Sequence, residues 1–166
     1  MPGRCNTRRM PTVIGLISDT HGLVRASVMH ALAGVELILH AGDVGGREVL
    51  IELATIAPVQ AVYGNVDDIH TPELDAHRWL QVDGHRIHVS HGHEVGRPSP
   101  AELLRRYPEA DVLVFGHTHR AVVHREGPRL VINPGAAGPR RFDVVPSVAI
   151  LSLAPGEATA ELVRIE

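Results

Sequence analysis

Short apolar runs separated by turn residues make up most of the chain. In its first half these runs predict strands at residues 12–18, 37–40 and 59–62. Between the strands, apolar residues at helical spacing predict helices at residues 25–32 and 48–56. Strands that alternate with helices are typical of a parallel sheet covered by helices.

The second half of the chain predicts mainly strands. Asp83-Gly84 lies between two strand-like segments and predicts a hairpin turn, whereas Pro100 fits the first turn of a helix that begins near Ser99. Further strands are predicted at residues 112–115, 121–125, 130–133, 148–153 and 160–165. We expect mostly antiparallel pairing in this half, and an α/β sandwich overall, with two sheets packed together and helices outside.

Composition restricts the class of protein further. The 166 residues are enough for one domain, which we expect to span residues 12–166, after a disordered leader of residues 1–11 without a function of its own. The net charge of −3 argues against a protein that binds nucleic acid through a basic surface. No apolar run reaches the roughly 18 residues of a membrane span. The single cysteine, Cys5, cannot form an internal disulfide, so we predict a cytoplasmic location.

Twelve histidines are unusual for a chain of this length. Several of them, with two aspartates and one asparagine, follow five of the predicted strands, each beside a glycine or a turn. These segments are Asp19-Thr20-His21, Gly42-Asp43, Gly64-Asn65, His91-Gly92-His93 and Gly116-His117-Thr118-His119. The carboxyl ends of strands in an open sheet lie along one edge, so the five segments can form one site. Carboxylate, amide and imidazole groups together suit Mn, Fe or Zn better than Ca or Mg.

Each segment also has a simpler explanation when it is considered alone. An Asp-x-His sequence after a strand is commonly a turn with a helix cap, and Gly-Asp or Gly-Asn is commonly just a turn. A single histidine at a strand end can be part of the core. Chance would have to produce all five segments, in this order and each at a strand end, so we interpret them together as one metal site.

The five segments, in this order, resemble the motifs of the calcineurin-like metallophosphoesterase superfamily. The resemblance covers residues 19–119, and the forms SDTHG, GNVD and HGH are similar to those of the small bacterial and archaeal phosphodiesterase branch. It implies a four-layer αββα sandwich with two mixed sheets packed face to face and the metal site at the carboxyl edge of the strands. It also implies two divalent transition-metal ions, with Mn expected first and Fe, Zn, Ni or Co as alternatives.

The family pattern implies a role for each residue of the site. It assigns Asp19, His21 and His119 to one ion and Asn65, His91 and His117 to the other, with Asp43 as the ligand that bridges both. Asp43, Asn65 and His91 are then also the catalytic residues. A bridging carboxylate holds two cations about 3.5–4 Å apart, and together they lower the pKa of a shared water. The implied reaction is hydrolysis of a phosphodiester by in-line attack of a metal-bridging hydroxide.

The resemblance implies a small phosphodiester as the substrate and is compatible with a homo-oligomer. From the charge and the apolar runs we expect no stable nucleic-acid partner and no membrane. One alternative is a protein-interaction scaffold, because the retromer subunit of this fold resembles the family. Eroded metal ligands would favour a scaffold, but all seven positions are intact here. A second alternative is that the same two-metal centre hydrolyses a different bond.

The chain departs from the family pattern at two positions. Val66 follows Asn65 where many members have a histidine that donates a proton or hydrogen bond to the leaving group. His70 and His93 are candidates to replace that donor. Ala136 stands where a serine is usual.

For several nearby polar residues the sequence leaves more than one role open. We expect Asp67 either to orient Asn65 or a site histidine, or to be a turn carboxylate. Arg140 and Arg141 either contact phosphate or are solvated loop residues. His40 is a candidate partner of the site, and the remaining histidines are expected at the surface or at sheet edges: His30, His77, His85, His88 and His124.

Overall fold

The computed structural model describes residues 9–141 and 143–166. The helices are α1 (Ala26–Ala31), α2 (Arg47–Ala54) and α3 (Pro100–Arg106), and a single 3-10 turn covers His93–Val95. The strands are β1 (Thr12–Ile17), β2 (Leu37–His40), β3 (Val59–Val62), β4 (Leu74–Asp75), β5 (His77–Val82), β6 (His85–Ser90), β7 (Val112–Val114), β8 (Val122–Glu126), β9 (Arg129–Asn133), β10 (Ser147–Ala154) and β11 (Glu157–Arg164). The predicted leader falls mainly on residues outside the described ones, so it stays a prediction.

The strands form two mixed sheets. The six-stranded sheet has the order β11-β10-β1-β2-β3-β4, and the five-stranded sheet has the order β5-β6-β7-β9-β8. Strands β1 to β4 run parallel to one another, while β10 pairs antiparallel with β1 and with β11. In the other sheet β7 is parallel to both β6 and β9, and the two edge strands are antiparallel.

The two sheets pack face to face, and helices cover their outer faces. Alternate residues of the central strands meet between the sheets, such as Ile14 and Leu16 from one sheet and Ile87 and Val89 from the other. Helices α1 and α2 cover the six-stranded sheet, and α3 covers the five-stranded sheet. The predicted αββα sandwich of two mixed sheets is therefore confirmed. No helix in the described ranges is long and apolar enough to cross a membrane.

Local signals correctly predicted the hairpin and the third helix. Asp83 and Gly84 both have positive φ and connect β5 to β6, as the two-residue turn requires. Helix α3 begins where predicted, since the Ser99 hydroxyl accepts a hydrogen bond from the Glu102 amide at 3.2 Å and Pro100 occupies the first turn.

The strands differ from the sequence-based expectation in three ways: one in pairing direction, one in where a strand begins and one in a strand that was not predicted. Within the five-stranded sheet, antiparallel pairing holds only at the edges, because α3 is a crossover that lets β7 lie parallel to β6. Strand β11 begins at Glu157, earlier than predicted, since Pro155-Gly156 forms a tight turn directly after β10. The two-residue strand β4 was missed because it is too short to show a periodic pattern.

His88 is buried, which corrects its prediction as a surface or edge residue. It lies on β6 beneath α3, with 1 % of its side chain exposed. Its ring stacks on Tyr107 with centroids 3.7 Å apart, and its Nε2 lies 3.1 Å from His77 Nδ1. Burial, with the nearby His77 as a smaller cause, lowers the pKa of His88 to about 3. His88 therefore stays neutral in the folded protein at neutral pH.

Candidate metal centre

The structure brings all seven predicted ligands together at the carboxyl ends of five strands. Residues 19 and 21 follow β1, residue 43 follows β2, residue 65 follows β3, residue 91 follows β6, and residues 117 and 119 follow β7. Each of these seven side chains has a polar atom within 4.0 Å of one from another member of the set. Both sheets thus contribute to one site at their shared edge.

The backbone of these loops is unusual. Six non-glycine residues with positive φ occur in the described parts of the chain, and one of them, Asp83, forms the β5–β6 turn. The other five are all predicted ligands: Asp19, His21, Asp43, His117 and His119. Positive φ is unfavourable for residues with a Cβ atom, and such strain is concentrated at functional sites. The surrounding packing therefore stabilises loop conformations that aim these side chains at a common point.

Four of the seven side chains form the tighter part of the site. The ligand atoms of Asp19, His21, Asp43 and His119 all lie within 4.8 Å of one another. His119 Nε2 is 3.2 Å from Asp19 Oδ1, and His21 Nε2 is 3.7 Å from Asp43 Oδ2. Both Asp19 Oδ1 and His21 Nε2 are buried without a hydrogen-bond partner. Unpartnered buried polar atoms are costly, so this arrangement fits a bound cation.

The other three ligands are Asn65 and the two histidines that contact it, His91 and His117. The Asn65 Oδ1 atom lies 3.1 Å from His91 Nε2 and 3.2 Å from His117 Nδ1. His91 Nε2 also lies 3.3 Å from Asp43 Oδ2. Burial lowers the pKa of His117, with the nearby His91 as a further cause, which favours the neutral ring whose nitrogen can bind a metal. An amide oxygen and two imidazole nitrogens therefore converge beside Asp43.

Asp43 connects the two groups of ligands. Its Oδ2 faces both His21 and His91, and its Oδ1 accepts a hydrogen bond from the Val66 amide at 3.2 Å. Burial tends to raise the pKa of Asp43, but the hydrogen bond and charge of His91 outweigh it and lower the pKa to about 2. Asp43 is therefore a carboxylate at neutral pH, in the position that a bridging ligand needs.

The backbone fixes the orientation of His91. Its Nδ1 lies 2.7 Å from the carbonyl oxygen of Ala41, which can only accept a hydrogen bond, so Nδ1 carries a proton and Nε2 is the nitrogen that faces the site. Burial lowers the pKa of His91, but Asp43 and Asp19 outweigh that effect and raise it above its usual value. The ring is wholly buried, so packing and the carbonyl contact together hold it in this orientation.

Asp67 supports the site through the backbone. Its carboxylate accepts hydrogen bonds from the amides of Val44 at 3.0 Å, Gly45 at 2.9 Å and Gly64 at 2.8 Å. These amides belong to the loops that carry Asp43 and Asn65. Asp67 therefore holds two ligand loops together, rather than orienting Asn65 or a histidine directly, which was one of the two roles we considered from sequence.

His40 stabilises the loop that follows β1. Its Nδ1 accepts a hydrogen bond from the Gly42 amide at 3.2 Å, and its Nε2 lies 2.9 Å from the Thr20 hydroxyl, which in turn donates to the Val44 carbonyl. Burial lowers the pKa of His40 to about 4, so the ring is neutral at neutral pH. His40 is thus a partner of the site, as we considered from the sequence, and its contacts are with the loops rather than with a ligand side chain.

Two glycines in the motifs are required by close contacts. A Cβ atom on Gly64 would collide with the Asp43 side chain, and one on Gly116 would collide with the Ser18 hydroxyl. The Ser18 hydroxyl donates to Asp19 Oδ2 at 2.6 Å, and the His117 amide donates to the same oxygen at 3.2 Å. The role of Ser18 was missed, because a serine next to an aspartate carries no specific signal in a single sequence.

The chain departs from the family pattern at Val66 and Ala136, which are not among the seven ligands. Val66 is 55 % exposed, and His70 is exposed on the same loop. The His93 ring lies near the site, with its centroid 5.4 Å from that of His91 and 6.3 Å from that of His117. Ala136 is buried, and the following loop supports β1, since the Ala137 amide donates to the Ser18 carbonyl at 3.0 Å. Arg140 and Arg141 are both exposed.

Comparisons with known proteins agree with this architecture. Residues 13–156 match the calcineurin-like phosphoesterase superfamily domain. A probable metallophosphoesterase of Methanothermobacter thermautotrophicus is 38 % identical over 160 residues, with 92 % of each chain covered. A phosphodiesterase of Methanocaldococcus jannaschii is 30 % identical over 74 % of this chain and 82 % of its own.

Solved structures show the same fold at lower identity. Vacuolar Protein Sorting 29 from Cryptosporidium parvum superimposes with a TM-score of 0.77 at 22 % identity, covering 95 % of this chain and 100 % of that one. Calcineurin-like metallophosphoesterases bind divalent metal ions, and the four-residue cluster described above offers suitable ligands. Together, the domain match and the two archaeal relatives establish that this chain belongs to the calcineurin-like phosphoesterase superfamily.

Proposed function

We propose that this protein is a dinuclear metal-dependent phosphodiesterase. The observation that carries the proposal is the position of Asp43, whose Oδ2 lies 3.7 Å from His21 Nε2 and 3.3 Å from His91 Nε2. One carboxylate therefore faces two separate groups of nitrogen and oxygen ligands. Asp19, His21 and His119 would hold one ion, and Asn65, His91 and His117 would hold the other, with Asp43 shared.

The protein's own groups suit this role at neutral pH. Divalent ions bound here would supply positive charge to the phosphate and lower the pKa of a water molecule. Asp43 is already ionised, so it does not have to lose a proton before it binds an ion, and binding at His91 would displace a proton held at Nε2. The buried walls around Asp19 and His91 exclude bulk water and strengthen electrostatic interactions with the substrate.

The site has no proton donor for the leaving group at position 66. Val66 offers only a hydrocarbon side chain where a donor would help the leaving oxygen to depart. The His93 ring lies beside those of His91 and His117, whereas His70 is exposed on the loop that follows β3. We therefore propose diesters with acidic leaving groups as the substrates that react fastest. The proposal further includes manganese as the preferred ion and the cytoplasm as the location.

The experiment combines metal analysis with a substrate panel. The protein is stripped of metal, reconstituted separately with Mn, Fe, Zn, Ni and Co, and its metal content per chain is measured. Each form is then assayed with bis(p-nitrophenyl) phosphate, p-nitrophenyl phosphate and nucleotides. We expect two ions per chain and faster hydrolysis of the diester than of the monoester. One ion per chain at saturating metal would contradict the dinuclear assignment.

The same experiment separates the enzyme from the scaffold alternative. The likeness to Vacuolar Protein Sorting 29 concerns the fold, and an intact ligand set alone does not establish turnover. A protein that hydrolyses none of the esters in any metal form would favour an interaction role. Hydrolysis of monoesters but not diesters would instead favour a phosphatase built on the same centre.

A further inference from the structure

A groove of about 660 Å³ opens beside the candidate metal centre. One wall is the segment after the His93–Val95 turn, with Arg97 and Ser99, and the other wall is the segment after β7, with Thr118 and Arg120. His117, assigned above to the second ion, lines the groove at the centre itself. The volume lies within the range of small-molecule sites. A substituent of a phosphate bound at the centre therefore has a continuous surface to occupy.

The side chains of this groove offer hydrogen-bond donors. Thr118 Oγ1 already accepts hydrogen bonds from the Arg120 amide at 3.3 Å and from Asn133 Nδ2 at 3.1 Å, so the hydroxyl has its proton left to offer. Ser99 Oγ accepts a hydrogen bond from the Glu102 amide. The two guanidinium groups can only donate. No acidic residue is among the described residues that line the groove.

A second groove lies on the His119 side of the centre and, unlike the first, has a carboxylate among its lining side chains. It is smaller, about 350 Å³, and Asp143 is among its lining residues, with Arg120 and Arg164. Arg120 borders both grooves and lies 3.6 Å from Asp143, but both side chains are about three-quarters exposed. An ion pair so accessible to water is weak and leaves Arg120 available to another anion. Only the larger groove combines two cations with no carboxylate.

The larger groove is also poorly suited to a nucleobase. Phe115 is among its lining residues, but only 2 % of its side chain is exposed, so its ring face is covered. Stacking on an exposed aromatic ring is the usual source of affinity for a base. Planar guanidinium groups, in contrast, match the oxygens of a phosphoryl group. The groove therefore selects for negative charge rather than for an aromatic ring.

We propose that Arg97 and Arg120, with the hydroxyls of Ser99 and Thr118, bind a second phosphoryl group carried by one substituent of the phosphodiester substrate. This inference rests on the proposed phosphodiesterase function and specifies its substrate class. The scissile phosphate binds at the metal centre, and the second phosphoryl group lies in the groove beyond His117. A neutral substituent gains none of these contacts.

The first test compares two diesters that differ only in the second phosphate. Thymidine 5′-(p-nitrophenyl phosphate) and its 3′-phosphorylated form have the same leaving group and are assayed with the metal-loaded protein. We expect kcat/KM to be higher for the phosphorylated form by about tenfold, since hydrogen bonds to charged groups contribute that much when partly exposed. The preference should decrease as salt is added, because both arginines are exposed.

Variants that reverse the charge of a groove arginine test whether the preference for the phosphorylated diester arises in the larger groove. Arg97→Glu and Arg120→Glu should each abolish or invert the ratio of the two kcat/KM values. The matched control is Arg105→Glu, because Arg105 is an exposed arginine on α3 whose guanidinium pairs with Glu102 and lines neither groove. Melting temperatures verify that the variants fold. Equal kcat/KM values for the two diesters, or a ratio unchanged by both groove variants, would overturn the proposal while leaving phosphodiesterase activity intact.

A binding measurement keeps the two proposals separable if neither diester is hydrolysed. Calorimetry compares thymidine 3′,5′-bisphosphate with thymidine 5′-monophosphate on the metal-loaded protein and on Arg97→Glu. Tighter binding of the bisphosphate that is lost in the variant supports the groove even where the phosphodiesterase function fails. Equal affinities overturn it.

Discussion

At the scale of single residues, Asp43 is the side chain that both halves of the site share. It is 3 % exposed, ionised because its pKa is lowered to about 2, and held by the Val66 amide on the side away from the histidines. His91 contacts Asp43 and Asn65 but belongs to only one of the two groups. The two residues therefore differ in what their removal should do.

We expect Asp43→Ala to lower the affinity for both ions and His91→Ala to lower the affinity mainly for one. Loss of a group that only hydrogen-bonds to a metal ligand costs about 10–100-fold in metal affinity. Loss of the shared ligand itself should therefore lower the affinity for each of the two ions by at least that factor. Titration with Mn, followed by measurement of bound metal per chain, gives the two affinities. The exposed His124→Ala variant is the control. Identical losses in Asp43→Ala and His91→Ala would contradict the bridging role.

Val66 permits a direct test of the missing proton donor. A positioned acid accelerates departure of a poor leaving group by about 10²–10⁴-fold, and a valine contributes none of this. We therefore expect a steep decrease in rate as the leaving-group pKa rises across a series of aryl and alkyl diesters. Val66→His should make that dependence shallower, since the position is 55 % exposed and has room for an imidazole. Val66→Leu should not.

The outcome also bears on the two alternative donors. A shallow dependence in the unmodified protein that becomes steep in His93→Ala or His70→Ala would assign the donor to that histidine. A shallow dependence unaffected by either change would mean that another group donates the proton, and the interpretation of Val66 would then be wrong.

At the scale of elements, the loops after β2 and β3 depend on each other. Asp67 links them through three backbone amides, and Val66 links them again through Asp43. No ligand side chain contributes to the Asp67 contacts, so the carboxylate shapes the site only by fixing the loops. The neighbouring Asp68 instead accepts a bond from the His70 amide within its own loop.

We expect Asp67→Ala to weaken metal binding by about 10–100-fold, as loss of a supporting group does. It should also lower the free energy of unfolding by about 1–3 kcal/mol, because partly buried amides lose their acceptor. Asp68→Ala is the matched control and should change both quantities little. Metal titration and urea unfolding measure the two effects. Equal behaviour of the two variants would show that the Asp67 contacts are not needed to position the ligand loops.

At the scale of the whole molecule, neutral histidines in the interior make stability depend on pH. Burial lowers the pKa of His88 to about 3, and His88 Nδ1 has no hydrogen-bond partner. In the unfolded chain a histidine binds a proton below about pH 6.5. Between about pH 6.5 and 3 the unfolded state therefore takes up more protons than the folded state at this position, and stability falls as the pH falls.

We expect His88→Phe to reduce this loss by up to about 1.4 kcal/mol for each pH unit of that window. Phenylalanine keeps the stacking on Tyr107 and removes the nitrogen that lacks a partner. Urea unfolding midpoints measured across the window, with EDTA present to keep metal binding constant, give the comparison. His124→Phe, on the exposed face of β8, is the control. Parallel pH profiles for His88→Phe and the unmodified protein would contradict the assigned burial effect.

The local sequence correctly predicted many of the strands and turns of this molecule. The apolar runs predicted most strands to within a few residues, because side chains of a central strand are buried on both faces. Asp83-Gly84 and Ser99-Pro100 fixed the hairpin and the start of α3 through their own backbone preferences. The ligand candidates were identified from their position after strands, since a strand that ends at the sheet edge must release its next residues into a loop there.

Only the tertiary structure decided the relations between distant parts of the chain. Periodicity shows that β6 and β7 are buried strands but not that they lie parallel, because pairing depends on the path of α3 between them. His88 shares its face of β6 with the polar residues Arg86 and Ser90, and its burial follows from the packing of Tyr107 above it. Asp67 and the groove between Arg97 and Arg120 gain their roles from segments that are far apart along the chain. A sequence specifies which residues favour burial, turns or metal binding, whereas their contacts depend on which faces the folded sheets bring together.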